Sequence, residues 1–561
     1  MNEKLIKTAL GELIPDLILK NARVVNVFTG EIIEGTITIT DGLIASVGPY
    51  REGKKMVDLN GAFVAPGLID AHCHIESSMV VPEVYCTEVV RHGVTTLITD
   101  PHEITNVAGG DGVRFMLNSA KSCPINYYVM LPSCVPSTNF EHSGAVFTAK
   151  EMKPFLNDPH ILGLGEMMNY PGVVNCDPAV MEKLDLFNDR VIDGHIPRIS
   201  GLNLQAYICA GIKTDHESST YNEALEKLRA NMAVLVREGS ASKNLNDILS
   251  GIIRDKIPTH RMAFCTDDKH LYDIRREGTI LHCIRLAIKL GMPPIQAIQM
   301  ATINAAEIYR LRNIGAVAPG YKADLIILDD LETMSLKGVY KDGIMVNQTG
   351  TSRRTYHANG KIGDSVHLPR LTESSFKLPE GENLPVISVI PGQLITKKTM
   401  LPRSEVNRLI NSGKVRKMVV VERHHATNNI GVGLIAGYGI SHGAIGTTVA
   451  HDSHNMIIVG DNDRDMLAAA RELSRVKGGY TIISNGDIKG TLPLPIGGLM
   501  SDLGANEFIP ALNKMLKKAK DIGISEEIDP FITLSFMALP VIPEIRLTDM
   551  GMFDVTTFSF L

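Results

Sequence analysis

The sequence predicts an α/β protein built on a TIM-type (β/α)8 barrel, with a small β-sandwich domain made from both flanks of the barrel and an additional C-terminal α/β domain. Three observations predict it. Short alternating strands with turns fill residues 16–66, eight strand-like runs then alternate with helix-length segments, and strands return after residue 319. At 561 residues the chain exceeds what one core usually supports, and 44% hydrophobic residues can fill several. The expected divisions are 1–66, mostly strands of the small β domain; 67–318, the barrel; 319–384, the rest of the β domain plus a linker; and 385–561, the C-terminal domain.

The first region reads LILKNARVVNVFTG, EIIEGTITITDGLIASVG and GAFVAPG, with Asp41-Gly42 suited to a hairpin turn. Eight strand ends follow, near His74, His102, Cys134, Glu166, His195, His216, Ser240 and Asp267. Eight βα units in roughly 250 residues is the size of a barrel. Two helical segments, GTILHCIRLAIKLG and PPIQAIQMATINAAEIYRL, lead back to the strand ADLIILDD. The proline-bearing FKLPEGENLPV marks a linker. Beyond it, KMVVVERH, GVGLIAGYG, NMIIVGD and GYTIIS alternate with helices such as RDMLAAARELSRV.

Composition removes several classes. A net charge of −6, from 56 basic and 62 acidic residues, gives no basic excess to recommend nucleic acid as a partner. Eight cysteines with no C-x-x-C pair argue against a disulfide framework or a zinc ribbon and fit a reducing compartment. Residues 1–7 lack a signal-type apolar core, and no run reaches the roughly 18 apolar residues that a membrane span needs. A cytoplasmic protein with a small-molecule substrate is expected.

The chemistry gathers where the strands stop. His72 and His74, spaced i, i+2, share one face of the first strand, with Cys73 turned away. Glu166, His195, His216 and Asp267 end later strands. Barrel enzymes place their sites at these C-terminal ends, and five strand ends supplying metal-type ligands make coincidence the weaker explanation. Imidazoles with carboxylates suit Zn, Mn or Fe better than Mg or Ca. A carboxylate at Glu166 could bridge two metals, and Asp267 stands where it could move a proton to a leaving group, with His216 a second candidate.

The run PGLIDAHCHIE, the strand-end Glu166, His195 and His216, TDD at the eighth strand and ATINAAEIYRL before GAVAPGYKADLIILD together resemble the amidohydrolase superfamily. HIESSM (74–79), DPHEITNVAG (100–109), GLGEMMNYPGV (163–173), DGHIPRISGLNLQAYICAGIKTDHE (193–217), HDSHN (451–455) and LPLPIGGLMS (492–501) resemble, more narrowly, the bacterial adenine deaminase family. That resemblance covers nearly the whole chain. It implies metal-dependent hydrolytic deamination of adenine to hypoxanthine and ammonia, a purine-salvage reaction, by metal-activated hydroxide attack at C6. It further implies Mn(II) or Fe(II) in a binuclear site, Zn(II) as an alternative, and a homo-oligomer, dimer or higher. By position, His72, His74, His195 and His216 match metal ligands, Glu166 the bridging carboxylate, and Asp267 the last-strand acid that carries the proton.

Other residues have two readings each. Glu76 and Ser77 could touch the purine edge or belong to a helix-capping loop. Asp100, His102 and Glu103 could support the ligands, bind a metal or orient substrate. Arg237 to Ser240 could line the pocket or form a structural turn. His451 and His454 sit among clustered histidines of the last domain and matter only if that domain covers the barrel mouth. The other zinc deaminase architecture needs P-C-x-x-C, which this chain lacks. An amidohydrolase for a different heterocyclic amidine or cyclic amide, or a noncatalytic scaffold, remains as an alternative.

Overall fold

The computed structural model describes residues 2–50, 52–240, 242–346 and 360–561. Eight parallel strands form the barrel: Leu68–Cys73, Val94–Thr99, Asn126–Leu131, Ile161–Met167, Val191–Gly194, Thr214–Asp215, Ala233–Arg237 and Met262–Cys265. They pair in sequence as runs of five and three. The backbone closes both seams: Lys213 N–H donates to Ile192 O at 3.2 Å, and Asp267 N–H to His72 O at 3.0 Å. Every residue of the first two strands is buried, as expected where a parallel sheet is covered on both faces. Ile69, Ala71, Ile98, Met130, Leu235 and Ala263 pack the barrel interior with Ala305 and Tyr309 from beyond the eighth strand. Asn304 Nδ2 donates to Thr259 O and Met262 O, which fixes that segment at the strands' N-terminal end. The opposite end is left for chemistry.

The small β domain is one eight-stranded sheet formed by strands from both sides of the barrel. Asp41 and Gly42, at φ 50° and 74°, make the tight turn between Glu31–Thr40 and Leu43–Gly48. The sheet rolls back on itself where Ile44 N–H donates to Tyr321 O and Ala323 N–H to Gly42 O, both at 2.8 Å. Leu19, Val24, Ile37, Ile39, Leu325 and Ile327 are enclosed. Phe63–Pro66 enters the barrel beside Leu325–Leu328, which leaves it.

The C-terminal region holds a second eight-stranded sheet, in which, of the described pairings, only Asn383–Val389 with Ile430–Ala436 is parallel. Helices Asp463–Arg475 and Ala505–Asp521 pack against its strands. Val366, Leu371 and Phe376 share its core. This region folds over the strand-end loops of the barrel. Ser501 N–H donates to Met79 O at 2.8 Å, Asn455 Nδ2 to His142 O at 2.7 Å, and one apolar cluster runs from Ile104 and Val107 to Ile496 and Met500.

Candidate metal centre

The strand ends bring His72, His74, Glu166, His195, His216 and Asp267 together in one cluster, buried except for the partly exposed His195. His72 Nε2 and His74 Nε2 lie 3.2 Å apart, as two residues on one face of a strand should. Glu166 stands between two sets of imidazoles. Its Oε1 is 3.3 Å from His74 Nε2 and 4.0 Å from His72 Nε2, while Oε2 is 2.6 Å from His195 Nδ1 and 3.1 Å from His216 Nε2. Asp267 Oδ1 is 3.2 Å from His74 Nε2 and 3.8 Å from His72 Nε2.

The donor chemistry fits a divalent cation. His74 Nδ1 lies 2.8 Å from the Asp100 carbonyl, an acceptor only, so Nδ1 carries the proton and Nε2 presents a lone pair. That lone pair faces two carboxylate oxygens and a second imidazole nitrogen. Lone pairs and anions converging in a dry pocket repel unless a cation lies among them. The ionisation of the groups agrees. Burial opposes charge throughout, yet the carboxylates hold His74 well above its ordinary value and His216 at about 9, and the imidazoles hold Glu166 well below the carboxylate range. Anions that draw protons onto histidines in this way would equally draw a metal ion.

The ligands are held from behind. Asp100 Oδ2 accepts the Glu166 backbone N–H at 2.8 Å, and a Cβ on Gly165 would sit 2.1 Å from that oxygen, so the close approach requires glycine. Tyr207 OH donates to Met167 O at 2.6 Å and accepts from His195 N–H at 3.1 Å, bracing the fourth and fifth strand ends. Asp215, bonded to Lys227 at 2.8 Å, accepts Ile196 N–H beside His195. Arg237 Nη1 donates to Asp267 Oδ2 at 2.8 Å, so Arg237 lines the site. It also pairs with Glu217, whose Oε1 is 3.6 Å from His216 Nε2. Glu217 directly follows a strand-end histidine, but spacing alone does not mark it as part of the site.

The remaining candidates divide. His102 joins the cluster, with Nδ1 3.3 Å from Glu166 Oε1. Glu76 Oε1 accepts Ile104 N–H at 3.1 Å, its buried Oε2 has no hydrogen-bond partner among the described residues, and burial pushes the carboxyl up to about 7. Ser77 donates to Asp268 and its carbonyl accepts from His270 Nδ1, so its polar groups are tied to the eighth-strand loop. Glu103 meets His451 and His454, which arrive from the C-terminal domain. His424 and His425 turn to the carbonyls of Ser453 and Ser143, and the backbone of His442 bonds Asp461.

Comparison with known proteins follows the same two-part division. Residues 63–346 match the amidohydrolase family and residues 393–559 the adenine deaminase C-terminal domain. The chain is 46% identical to adenine deaminase 2 of Carboxydothermus hydrogenoformans, over 99% of this chain and 98% of that protein. The chain belongs to the adenine deaminase family. Adenine deaminases of Desulfitobacterium hafniense and Geobacillus kaustophilus are 44% and 45% identical, over 100% and 97% of this chain and 98% and 96% of theirs. Similarity on this scale spans every domain described above. Amidohydrolase membership implies a divalent metal, and the buried histidine and carboxylate groups supply ligands for one.

Proposed function

We infer that this hydrolase deaminates adenine, converting it with water to hypoxanthine and ammonia in purine salvage. One observation carries the reading: the strand-end cluster centred on Glu166 lies in a chain whose full-length relatives are adenine deaminases. His72, His74, Glu166, His195, His216 and Asp267 would hold the metal, Glu166 as the carboxylate shared by the two sets of imidazoles. Mn(II) or Fe(II) suits this mixed nitrogen and oxygen set, and Zn(II) is compatible with it. When bound, the metal acidifies water and so supplies a nucleophile near neutral pH.

The chain's own residues then move protons and hold the ring. Water adds at C6 and the C6–N6 bond breaks; one water proton ends on N1 and the other leaves with ammonia. Asp267 carries that second proton, because its Oδ1 faces the cluster while Arg237 secures Oδ2. His216, with Nε2 3.1 Å from Glu166 Oε2, would polarise the reacting carbon's new oxygen through the metal it holds. Glu76, with one buried oxygen unpartnered among the described residues, would read the purine edge, and Ser77 steadies its loop. Asp100 and His102 support Glu166 from its backbone and side-chain sides. Among the described residues no helix is long and apolar enough to cross a membrane, and a cytoplasmic homo-oligomer, dimer or higher, is the state proposed.

The test is ammonia release from adenine by protein reconstituted with Mn(II), beside an Asp267→Asn control. Turnover that disappears in the control supports both substrate and proton carrier. An inert, metal-loaded wild type rejects adenine and points to another heterocyclic amidine or a cyclic amide; inertness toward all of these returns the scaffold.

A further inference from the structure

Glu103 belongs to the barrel, yet both its oxygens are held by the C-terminal domain. His451 Nδ1 meets Oε1 and His454 Nε2 meets Oε2, so one carboxylate is gripped by two rings of a single loop. The three groups are close enough to suggest a cation site, but the proton on His454 decides otherwise. Ala450 N–H donates to His454 Nδ1 at 3.1 Å, so Nδ1 is the acceptor and Nε2 carries the hydrogen that Glu103 receives. Both ring nitrogens are used, and neither is left to ligate a metal. Burial pushes His454 down to about 4, which keeps the ring neutral.

The loop is itself fixed. His454 N–H donates to Ala450 O at 2.7 Å, the buried Arg423 bonds the His454 carbonyl and, at 2.9 Å, that of Gly497, and His451 stacks on Phe536 with ring centroids 4.6 Å apart. In the other direction, Glu103 Oε1 lies 3.6 Å from His102 Nε2, and the far nitrogen of that ring is 3.3 Å from Glu166 Oε1. A continuous line of contacts therefore runs from the second domain to the shared carboxylate of the metal centre.

We propose that His451 and His454 are positioning residues for the metal centre, acting through Glu103 and His102 on Glu166. The C-terminal domain is then part of the catalytic apparatus through its contacts with the barrel's Glu103. This rests on the metal-hydrolase reading above. Asparagine at 451 and glutamine at 454 place an amide N–H near the nitrogen that each histidine uses, whereas leucine at either place removes the donor.

The test uses Co(II)-loaded full-length protein. The visible absorption band, read without substrate, reports ligand geometry, and adenine kcat and KM are measured alongside. His451→Leu and His454→Leu are expected to shift the band and lower kcat about 10- to 100-fold with KM little changed, while His451→Asn and His454→Gln recover most of both. Leucine variants with the wild-type band and turnover would overturn the proposal. So would amide variants that lose as much as the leucine ones, since that pattern belongs to packing. If the leucine variants do not fold, the near-isosteric Glu103→Gln decides: a shifted band supports the relay and an unchanged band overturns it. A wild type that binds cobalt but leaves adenine intact rejects the substrate while the band still tests the relay; one that takes up no cobalt overturns both.

Discussion

Arg237 and Asp267 are joined by a hydrogen bond of 2.8 Å from the guanidinium Nη1 to the carboxylate Oδ2, which leaves Oδ1 facing His74 at 3.2 Å. Burial pushes this carboxyl up, but His74, Arg237 and His216 more than offset it and hold it well below the usual range. The deprotonated form is the one that accepts a proton. Replacing Arg237 by methionine should raise the Asp267 pKa, so activity fails at a higher pH as the solution is acidified. The acid limb of the kcat profile of metal-loaded enzyme should move up by roughly one to three units, and Arg237→Lys should fall between. An unmoved limb would show that Arg237 does not set this carboxylate.

Glu166→Gln keeps the shape of the shared side chain and removes its charge. One amide cannot serve both sets of imidazoles, because its nitrogen offers no lone pair to a metal. The expected result is fewer bound metal ions per chain by elemental analysis and a loss of turnover of at least about a hundredfold, with thermal unfolding little changed. A variant that retains the full complement of metal would remove Glu166 from its bridging role.

Gly165→Ala tests the support behind that residue. The added methyl collides with the Asp100 carboxylate that accepts the Glu166 N–H. Overpacking of this kind costs about 1–3 kcal/mol, and the displaced Asp100 should also weaken metal retention in a chelator competition. Normal stability together with normal retention would mean that the strand end shifts freely.

Much of this arrangement is legible in the sequence because it depends on local regularities. Eight buried parallel strands read as apolar runs, and each ligand closes its run, so His72, His74, Glu166, His195, His216 and Asp267 stand out by position. The grip of His451 and His454 on Glu103 is not legible, since it joins groups 348 and 351 residues apart through the packing of one domain on another. Glu217 and Arg237 are a middle case. Both lie at strand ends, but only the fold shows that the guanidinium reaches across from the seventh strand to the sixth and eighth.

Asp70 gives a stability prediction. Its carboxyl accepts from Thr266 N–H at 3.0 Å and from the Thr266 hydroxyl at 2.6 Å, tying the first strand to the eighth. Burial raises it from 3.8 to about 7 despite those bonds. The folded chain therefore holds this proton more tightly than the unfolded chain. Stability from this group is fully present below pH 3.8 and is lost as pH rises toward 7, by on the order of 4 kcal/mol. Asp70→Asn should remove that dependence, so the difference in unfolding free energy between variant and wild type should grow in the variant's favour from pH 5 to pH 8. A constant difference would contradict the assignment.

The rolled sheet beside the barrel also imposes an order of assembly. Phe63–Pro66 pairs on one side with Leu17–Asn26 and on the other with Leu325–Leu328, and the whole barrel is synthesised between those two partners. At ribosomal speeds the second partner emerges roughly fifteen to sixty seconds after the first. Throughout that interval a buried strand of the finished protein is an open, apolar edge on the nascent chain, the kind of surface that recruits chaperones or neighbouring chains. Closing the sheet is thus a late event, and it draws the entrance and exit of the barrel together.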